Sequence, residues 1–277
     1  MAEWLGSGLQ SRSQRFESAR RLFLELMEAW IVDCHSHLVP SGDDGVRTVE
    51  EGIRLLRQAA RDGTKIVYAT PHIHTGWDSY PLTAERRRIY EQSFPVVCEL
   101  AAGFGLELRH GFELFPGALP SGADLREYAL GESGFLLVEF PGSWCAGIID
   151  EPCRLVFDQA VAVEQAGLVP VLAHPERCAE IIAQPYRLER FRERGWLACL
   201  NSSSLTAGSY PQQATACAWQ LLDAGAVDLV ASDAHGDHRP PMLDWAYELV
   251  AARYGEEYAR PLFDGSALHA GGIAVAA

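Results

Sequence analysis

The chain has 277 residues, 48% hydrophobic and 22% charged, the make-up of a globular protein that can bury a sizeable core and not of a disordered one. Its formal charge of −14 argues against a broad duplex-DNA surface, because phosphate backbones are held by clustered Lys and Arg. No apolar run approaches the roughly 20 residues that cross a bilayer.

Residues 9–29 read as an amphipathic helix, with Leu9, Phe16, Leu22, Phe23 and Leu26 near helical spacing and arginines between them. We read it as a packing or oligomer-forming helix. Arg12, Arg15, Glu17, Arg20 and Arg21 interrupt any signal-peptide core, so a cytoplasmic location is the expectation. Met27 is an alternative translation start. From residue 30 the chain alternates. Short β-branched, apolar runs at 30–34, 65–69, 106–112, 135–140, 168–173, 196–200 and 227–231 predict strands. Between them, helical patterns cover Val49 to Arg61, Leu82 to Gly103, Ile148 to Ala166, Leu188 to Arg194 and Gln212 to Ala224. Gly63, Gly105, Gly167, Gly195 and Gly225 stand past helix ends, as C-caps should. The alternation predicts an α/β fold: a distorted seven-stranded TIM-like barrel with parallel strands, because polar clusters follow almost every strand instead of gathering at one switch point. One domain is expected at 30–268, with a helical extension at 1–29 and a loose tail at 269–277.

The strand ends carry the chemistry. In a parallel barrel all C-terminal ends open on one rim. Strand 1 delivers His35 and His37, with Asp44 in the loop behind; strand 2 ends at His72, strand 3 at Glu113 and strand 4 at Glu139. Strand 5 ends at His174-Pro175-Glu176-Arg177, strand 6 at Asn201-Ser202-Ser203 and strand 7 at Asp233-Ala234-His235. Singly, each residue has an ordinary explanation, such as a turn, a helix cap or a salt bridge. Together, four carboxylates crowded into one cleft would repel unless cations held them. Nitrogen and oxygen donors without thiolates suit Mn, Fe or Zn and argue against calcium, and nine donors are enough for two or three ions. Seven cysteines with no C-x-x-C pair suggest reduced thiols, not disulfides or a thiolate zinc site. None has Arg six positions on, so the Cys-x5-Arg loop of thiol-based phosphatases is missing.

The sequence resembles the polymerase-and-histidinol-phosphatase (PHP) superfamily of metal-dependent phosphoesterases. Within it, the chain is most similar to the manganese-dependent tyrosine phosphatases of bacterial capsule and exopolysaccharide synthesis, the CpsB/CapC type. The resemblance rests on D-C-H-S-H-L-V-P-S-G-D-D-G at 33–45, A-T-P-H at 69–72, G-F-E at 111–113, V-E-F-P at 138–141, A-H-P-E-R at 173–177, S-D-A-H at 232–235 and R-P at 239–240. It implies a seven-stranded distorted barrel holding three divalent ions, manganese first, with Fe, Co or Zn as alternatives. One ion is implied on His35, His37, Glu113 and Asp233, a second on Glu113, Glu139 and His174, and a third on Asp44, His72 and His235. Ile73 stands where a second histidine often follows T-P-H, and His74 is a candidate to replace it.

The implied activity is hydrolysis of phosphotyrosine on a protein such as a polysaccharide-export tyrosine autokinase, by attack of a hydroxide held between two ions. Arg177 and Arg239 are candidates to fork onto the phosphate oxygens. Asp233 and His235 are expected to be catalytic as well as metal-binding, and any proton donor would be a rim His or Asp that the sequence does not single out. Alternatives at this stage are a histidinol-phosphate or other small-molecule phosphatase, a nuclease (disfavoured by the acidic balance), an amidohydrolase-type C–N hydrolase, and a catalytically silent kinase-docking module.

Overall fold

A computed structural model describes residues 30–73, 80–119, 122–206 and 211–270. The expected N-terminal helix, Met27, His74 and most of the expected tail lie outside these residues. The strands are β1 (Ile31–Ser36), β2 (Thr64–Ala69), β3 (His72–Ile73), β4 (Glu107–His110), β5 (Glu113–Leu114), β6 (Phe135–Glu139), β7 (Val169–Ala173), β8 (Leu197–Asn201) and β9 (Leu229–Ala231). All ladders are parallel, in a three-stranded sheet β1-β2-β4 and a six-stranded sheet β3-β5-β6-β7-β8-β9.

Seven sequence runs become nine strands because two are broken. β2 stops at Thr70-Pro71 and resumes as β3, where proline has no N–H to give a ladder. β4 stops at Gly111-Phe112 and resumes as β5. The end of the last strand meets the first through a parallel bridge, Ser36 with Ala234. Beside it, the Asp233 N–H donates to His35 O (2.8 Å) and the His37 N–H to Ala234 O (2.8 Å).

The strands are apolar on both faces, which is why they read as continuous runs in the sequence. One set of side chains packs inside the strands: Val32, Cys34, Tyr68, Phe135, Leu137, Val171, Ala173, Cys199, Leu229 and Ala231, joined by Leu130 and Leu268. The alternate set, with Leu136, Val138, Leu172, Ala198, Leu200 and Val230, packs outward with the helices. Burial of each large side chain contributes about 1.5–3 kcal/mol.

The helices are α1 (Val49–Arg61), α2 (Ala84–Ala102), α3 (Pro152–Gln165), α4 (Ala179–Ala183), α5 (Glu189–Arg192), α6 (Gln212–Asp223), α7 (Leu243–Tyr254), α8 (Glu256–Phe263) and α9 (Ala267–Ala270). α1 shows why the pattern was legible. Thr48 caps it by accepting from the Glu51 N–H, Glu50 and Glu51 sit in its first turn, and Gly52, Leu55, Leu56 and Ala59 recur on its buried face. The five glycines expected past helix ends all take left-handed φ, between 62° and 93°. Two expectations are corrected. The helix expected from Ile148 starts at Pro152, a residue pre-set for a first turn, and the one expected over Leu188 to Arg194 is reduced to α5. The helices α7 and α8, which were not anticipated, pack against each other, and α8 packs against β1 and β9, with Tyr247 edge-on to both Trp30 and Phe263. Among the described residues no helix is long and apolar enough to cross a membrane.

Beneath the rim, Glu176 is fully buried; its carboxylate accepts from the Asn201 N–H (3.0 Å) and the Ser204 hydroxyl (2.7 Å). Burial pushes its pKa up to about 7, against these hydrogen bonds. An unfolded Glu releases its proton near pH 4.3. Between roughly that pH and pH 7 the folded state holds a proton the unfolded state lacks, so stability falls as pH rises, by on the order of 3 kcal/mol in all. Glu176→Gln keeps the acceptor and removes the titration. In urea titrations at matched metal content its stability is expected to gain on wild type from pH 5 to pH 8; parallel profiles would refute the assignment.

Candidate metal centre

Several of the nine sequence-predicted residues reach the rim by a local device. In β1, Asp33 pairs with Val67 and Ser36 with Ala69, so one extra residue is bulged into the strand. A bulge resets the side-chain alternation. Cys34 therefore stays with the interior set while its neighbour His35 also turns into the site, with His37 just beyond. The loop after His37 folds back over it; a Cβ on Gly45 would lie 2.6 Å from His37 Cβ, so only glycine fits. That return brings Asp43 against the His37 ring, Nδ1 to Oδ2 3.2 Å, and lets the same oxygen accept from the His72 N–H at 3.0 Å. His174 and Asp233 take left-handed backbone (φ 39° and 48°) at the ends of their strands, a conformation rare for non-glycine residues but enriched in His and Asp. It turns both side chains away from the strand alternation and into the site.

The donor atoms form two tight groups. His35 Nε2 lies 3.2 Å from His37 Nε2, 3.2 Å from Glu113 Oε2 and 3.4 Å from Asp233 Oδ1. His37 Nε2 lies 3.4 Å from each of those two oxygens. An ion about 2.0–2.1 Å from four such atoms sets tetrahedral edges of roughly 3.3–3.4 Å, and the measured separations match. In the second group, His72 Nε2, His235 Nε2 and Asp44 Oδ1 make a triangle with sides 3.4, 3.5 and 3.5 Å, three corners of a similar cage. Glu113 connects the site further, since its Oε1 lies 2.9 Å from His174 Nε2 and its Oε2 2.8 Å from His72 Nδ1. Glu139 approaches His72 Nδ1 at 3.8 Å. Buried Glu113 Oε2 and Glu139 Oε2 accept no hydrogen bond, as expected of oxygens intended for a cation.

The electrostatics agree. Burial and the neighbouring Glu113 push the Glu139 carboxyl up to about 8. Burial works the same way on Asp233, but Arg239, His35 and His235 outweigh it and hold the group well below the usual range. Burial lowers His174 to about 4, aided by Arg177, and lowers His235 to about 3, aided by His37. Both imidazoles are thus neutral with available lone pairs, as ligation requires. Conversely, His72 is raised to about 9, Glu113 outweighing burial, and His37 well above its usual value, Asp233, Asp43 and Glu113 outweighing it. Those two imidazolium protons balance the carboxylates, and a divalent cation would displace them.

Asp233 and His235, expected to be catalytic as well as metal-binding, are both deprotonated at neutral pH in this arrangement, which suits ligation better than proton donation. Arg177 and Arg239 have a partner the sequence did not suggest. Their Nη1 atoms donate to Asp233 Oδ2 at 2.9 and 2.5 Å, and Asn201 Nδ2 donates to the same oxygen at 2.7 Å. One carboxylate thus presents Oδ1 to the cage and Oδ2 to three donors. Sequence reasoning also passed over Asp43 as an orienting residue, although D-D-G signals it, and over Arg86. The buried Arg86 guanidinium donates to the carbonyls of Ser41, Tyr80 and His72, clamping the loop that carries Asp43 and Asp44. No motif marks it. The cleft above the ligand candidates has a volume of about 310 Å³, and Asp44, His72, Glu139, His174, Arg177, Asp233, His235, Arg239, Gly142 and Trp144 line it.

A parallel α/β barrel with a histidine–carboxylate cluster at the C-terminal ends of its strands is the architecture of a metal-dependent hydrolase. The family described as "Capsular polysaccharide synthesis, CpsB/CapC" matches residues 31–269. The chain belongs to that family. It is 29% identical over 218 residues to the tyrosine-protein phosphatase YwqE of Bacillus subtilis, covering 74% of this chain and 77% of that one. It is 28% identical over 247 residues to the tyrosine-protein phosphatase CpsB of Streptococcus agalactiae serotype III, covering 84% and 95%. A crystal structure from work on YwqE of Bacillus subtilis and CpsB of Streptococcus pneumoniae, described as unique metal-dependent tyrosine phosphatases, matches with a TM-score of 0.68 at 26% identity, covering 84% of this chain and 91% of that one.

Proposed function

We propose that this protein is a metal-dependent phosphomonoesterase that dephosphorylates phosphotyrosine on a protein, with a tyrosine autokinase of polysaccharide export as the partner and manganese as the resident ion. One observation carries the reading: nine nitrogen- and oxygen-bearing side chains from six strand ends meet, and within their two tight groups the separations fit cation coordination. The relatives' names supply the substrate class. The donor set, rich in imidazole and carboxylate and free of thiolate, suits manganese, iron or zinc. His35, His37, Glu113 and Asp233 would hold one ion, Glu113, Glu139 and His174 a second, and Asp44, His72 and His235 a third. Bound there, the ions supply a water of lowered pKa and positive charge for the phosphate oxygens.

The chain's own residues do the rest. Asp43 fixes the His37 ring and Arg86 fixes the loop beneath it. Arg177 and Arg239 hold Asp233 and line the cleft, where a guanidinium matches phosphate geometry. A tyrosine leaving group has a pKa near 10, so it leaves with little help from an acid. We further propose that the catalytic unit is 30–268 and that it works in the cytoplasm, where its seven free thiols stay reduced.

The test pairs two treatments of the purified protein, read with p-nitrophenyl phosphate and a phosphotyrosine peptide. Chelation is expected to abolish turnover and added Mn2+ to restore it, with Co2+ and Zn2+ compared alongside. Alkylation of the accessible thiols is expected to leave turnover intact, because no cysteine lines the cleft. Activity that survives chelation and dies on alkylation would exclude the proposal.

A further inference from the structure

A phosphate monoester has two parts, and the metal cluster accounts for one. Among the described residues lining the cleft, all but Gly142 and Trp144 are ligand candidates or arginines, so carboxylates, imidazoles and guanidiniums surround the space a phosphate would fill. Among the same described residues, the apolar surface available to whatever the phosphate is attached to lies in the loop after β6. Trp144 there is 51% exposed, five residues beyond Glu139.

The indole is seated, not merely exposed. A Cβ on Gly142 would overlap its Nε1 and lie 2.7 Å from its Cδ1. Gly142 itself has φ −64° and ψ 161°, extended backbone that any residue adopts. The glycine is therefore needed for the ring and not for the turn. A short 3-10 turn, Ser143–Cys145, fixes the backbone under the ring. The Cys145 N–H donates to Gly142 O at 2.8 Å, and the Ile148 N–H donates to Cys145 O at 2.9 Å. Cys145 is buried and anchors this turn. The result is a flat aromatic surface, held at one side of a charged cleft.

We propose that Trp144 is the specificity-determining residue for the leaving group: its indole face takes the phenyl ring of a phosphotyrosine whose phosphate enters the metal centre. This rests on the function proposed above and names the part of the substrate that function leaves unassigned. Aromatic pairs favour offset or edge-to-face contact and gain beyond simple burial, whereas a serine or threonine ester offers no ring to meet the indole. The same surface would give no preference among peptides that differ only away from the phosphotyrosine.

The test uses two non-hydrolysable probes, phenylphosphonate and methylphosphonate, titrated by calorimetry into the Mn2+-loaded full chain. Trp144→Ala is expected to weaken phenylphosphonate roughly tenfold and methylphosphonate less than about twofold, with Trp144→Phe retaining most of the phenyl preference. Gly142→Ala, which dislodges the ring without touching a charged group, is expected to fall on the same side as Trp144→Ala. An unchanged phenyl-to-methyl ratio in Trp144→Ala, or equal weakening of both probes, would overturn the proposal. Because binding needs no turnover, a wild type that prefers phenylphosphonate through Trp144 yet hydrolyses no phosphotyrosine peptide would sink the phosphatase reading while upholding the aromatic seat.

Discussion

Glu113→Ala is expected to reduce kcat/KM on p-nitrophenyl phosphate by well over about 100-fold, more than the roughly 10–100-fold that loss of an outer-shell partner costs a metal site. The reason is its central place. Oε2 lies within 3.4 Å of donor atoms of His35, His37 and His72, while Oε1 lies 2.9 Å from His174. Removing it opens the four-atom cage and separates it from the His174 side at the same time. Elemental analysis should show the loss as missing ions, not only as missing rate. Glu113→Gln, which keeps the shape but surrenders the charge, should do nearly as badly. A Glu113→Ala protein with full metal content and wild-type turnover would remove the basis for the cluster.

Asp233→Asn is expected to have the second largest effect, through two routes that can be measured apart. Asparagine keeps the size and accepts the left-handed backbone at φ 48°, so the chain trace should survive. The amide, however, can present only one oxygen. If it faces the cage, the NH2 group points at Arg177, Arg239 and Asn201, all of which donate; if it faces the arginines, the cage loses a ligand. Activity and ion content should fall together, by at least the roughly 10–100-fold that loss of an outer-shell partner costs a metal site. Stability should fall too. Breaking a buried ion pair costs about 3–5 kcal/mol, and the two guanidiniums, at 16% side-chain exposure, should lose somewhat less than that. A lower denaturation midpoint with unchanged ion content would make Asp233 an anchor for the arginines alone.

The nine ligand candidates were legible because strand ends are marked in sequence by an apolar run stopping at a polar residue. In a parallel barrel every such stop lands on one rim. The partners of those residues were not legible. Asn201 was visible only as a strand end, and nothing near it in sequence indicates that its amide meets Asp233, 32 positions on. Arg86 lies in a helix among other arginines, and its burial against three loop carbonyls is a tertiary fact. Trp144 belongs to a loop with no periodicity to read. The helices α7 and α8 were missed although Gly255 ends the first of them, because no strand follows to bracket them.

By itself the sequence determined the alternation of parallel strands and helices, the residue types offered at each strand end, and the family to which the pattern belongs. These are local quantities: periodicity, caps and the identity of the residue at which a run stops. Only the tertiary structure decided that β1 carries a bulge, that His174 and Asp233 turn inward through left-handed backbone, and that two arginines expected on phosphate also hold Asp233, a ligand candidate, in place. Those outcomes depend on distances between segments far apart along the chain, set by how the strands pack against one another.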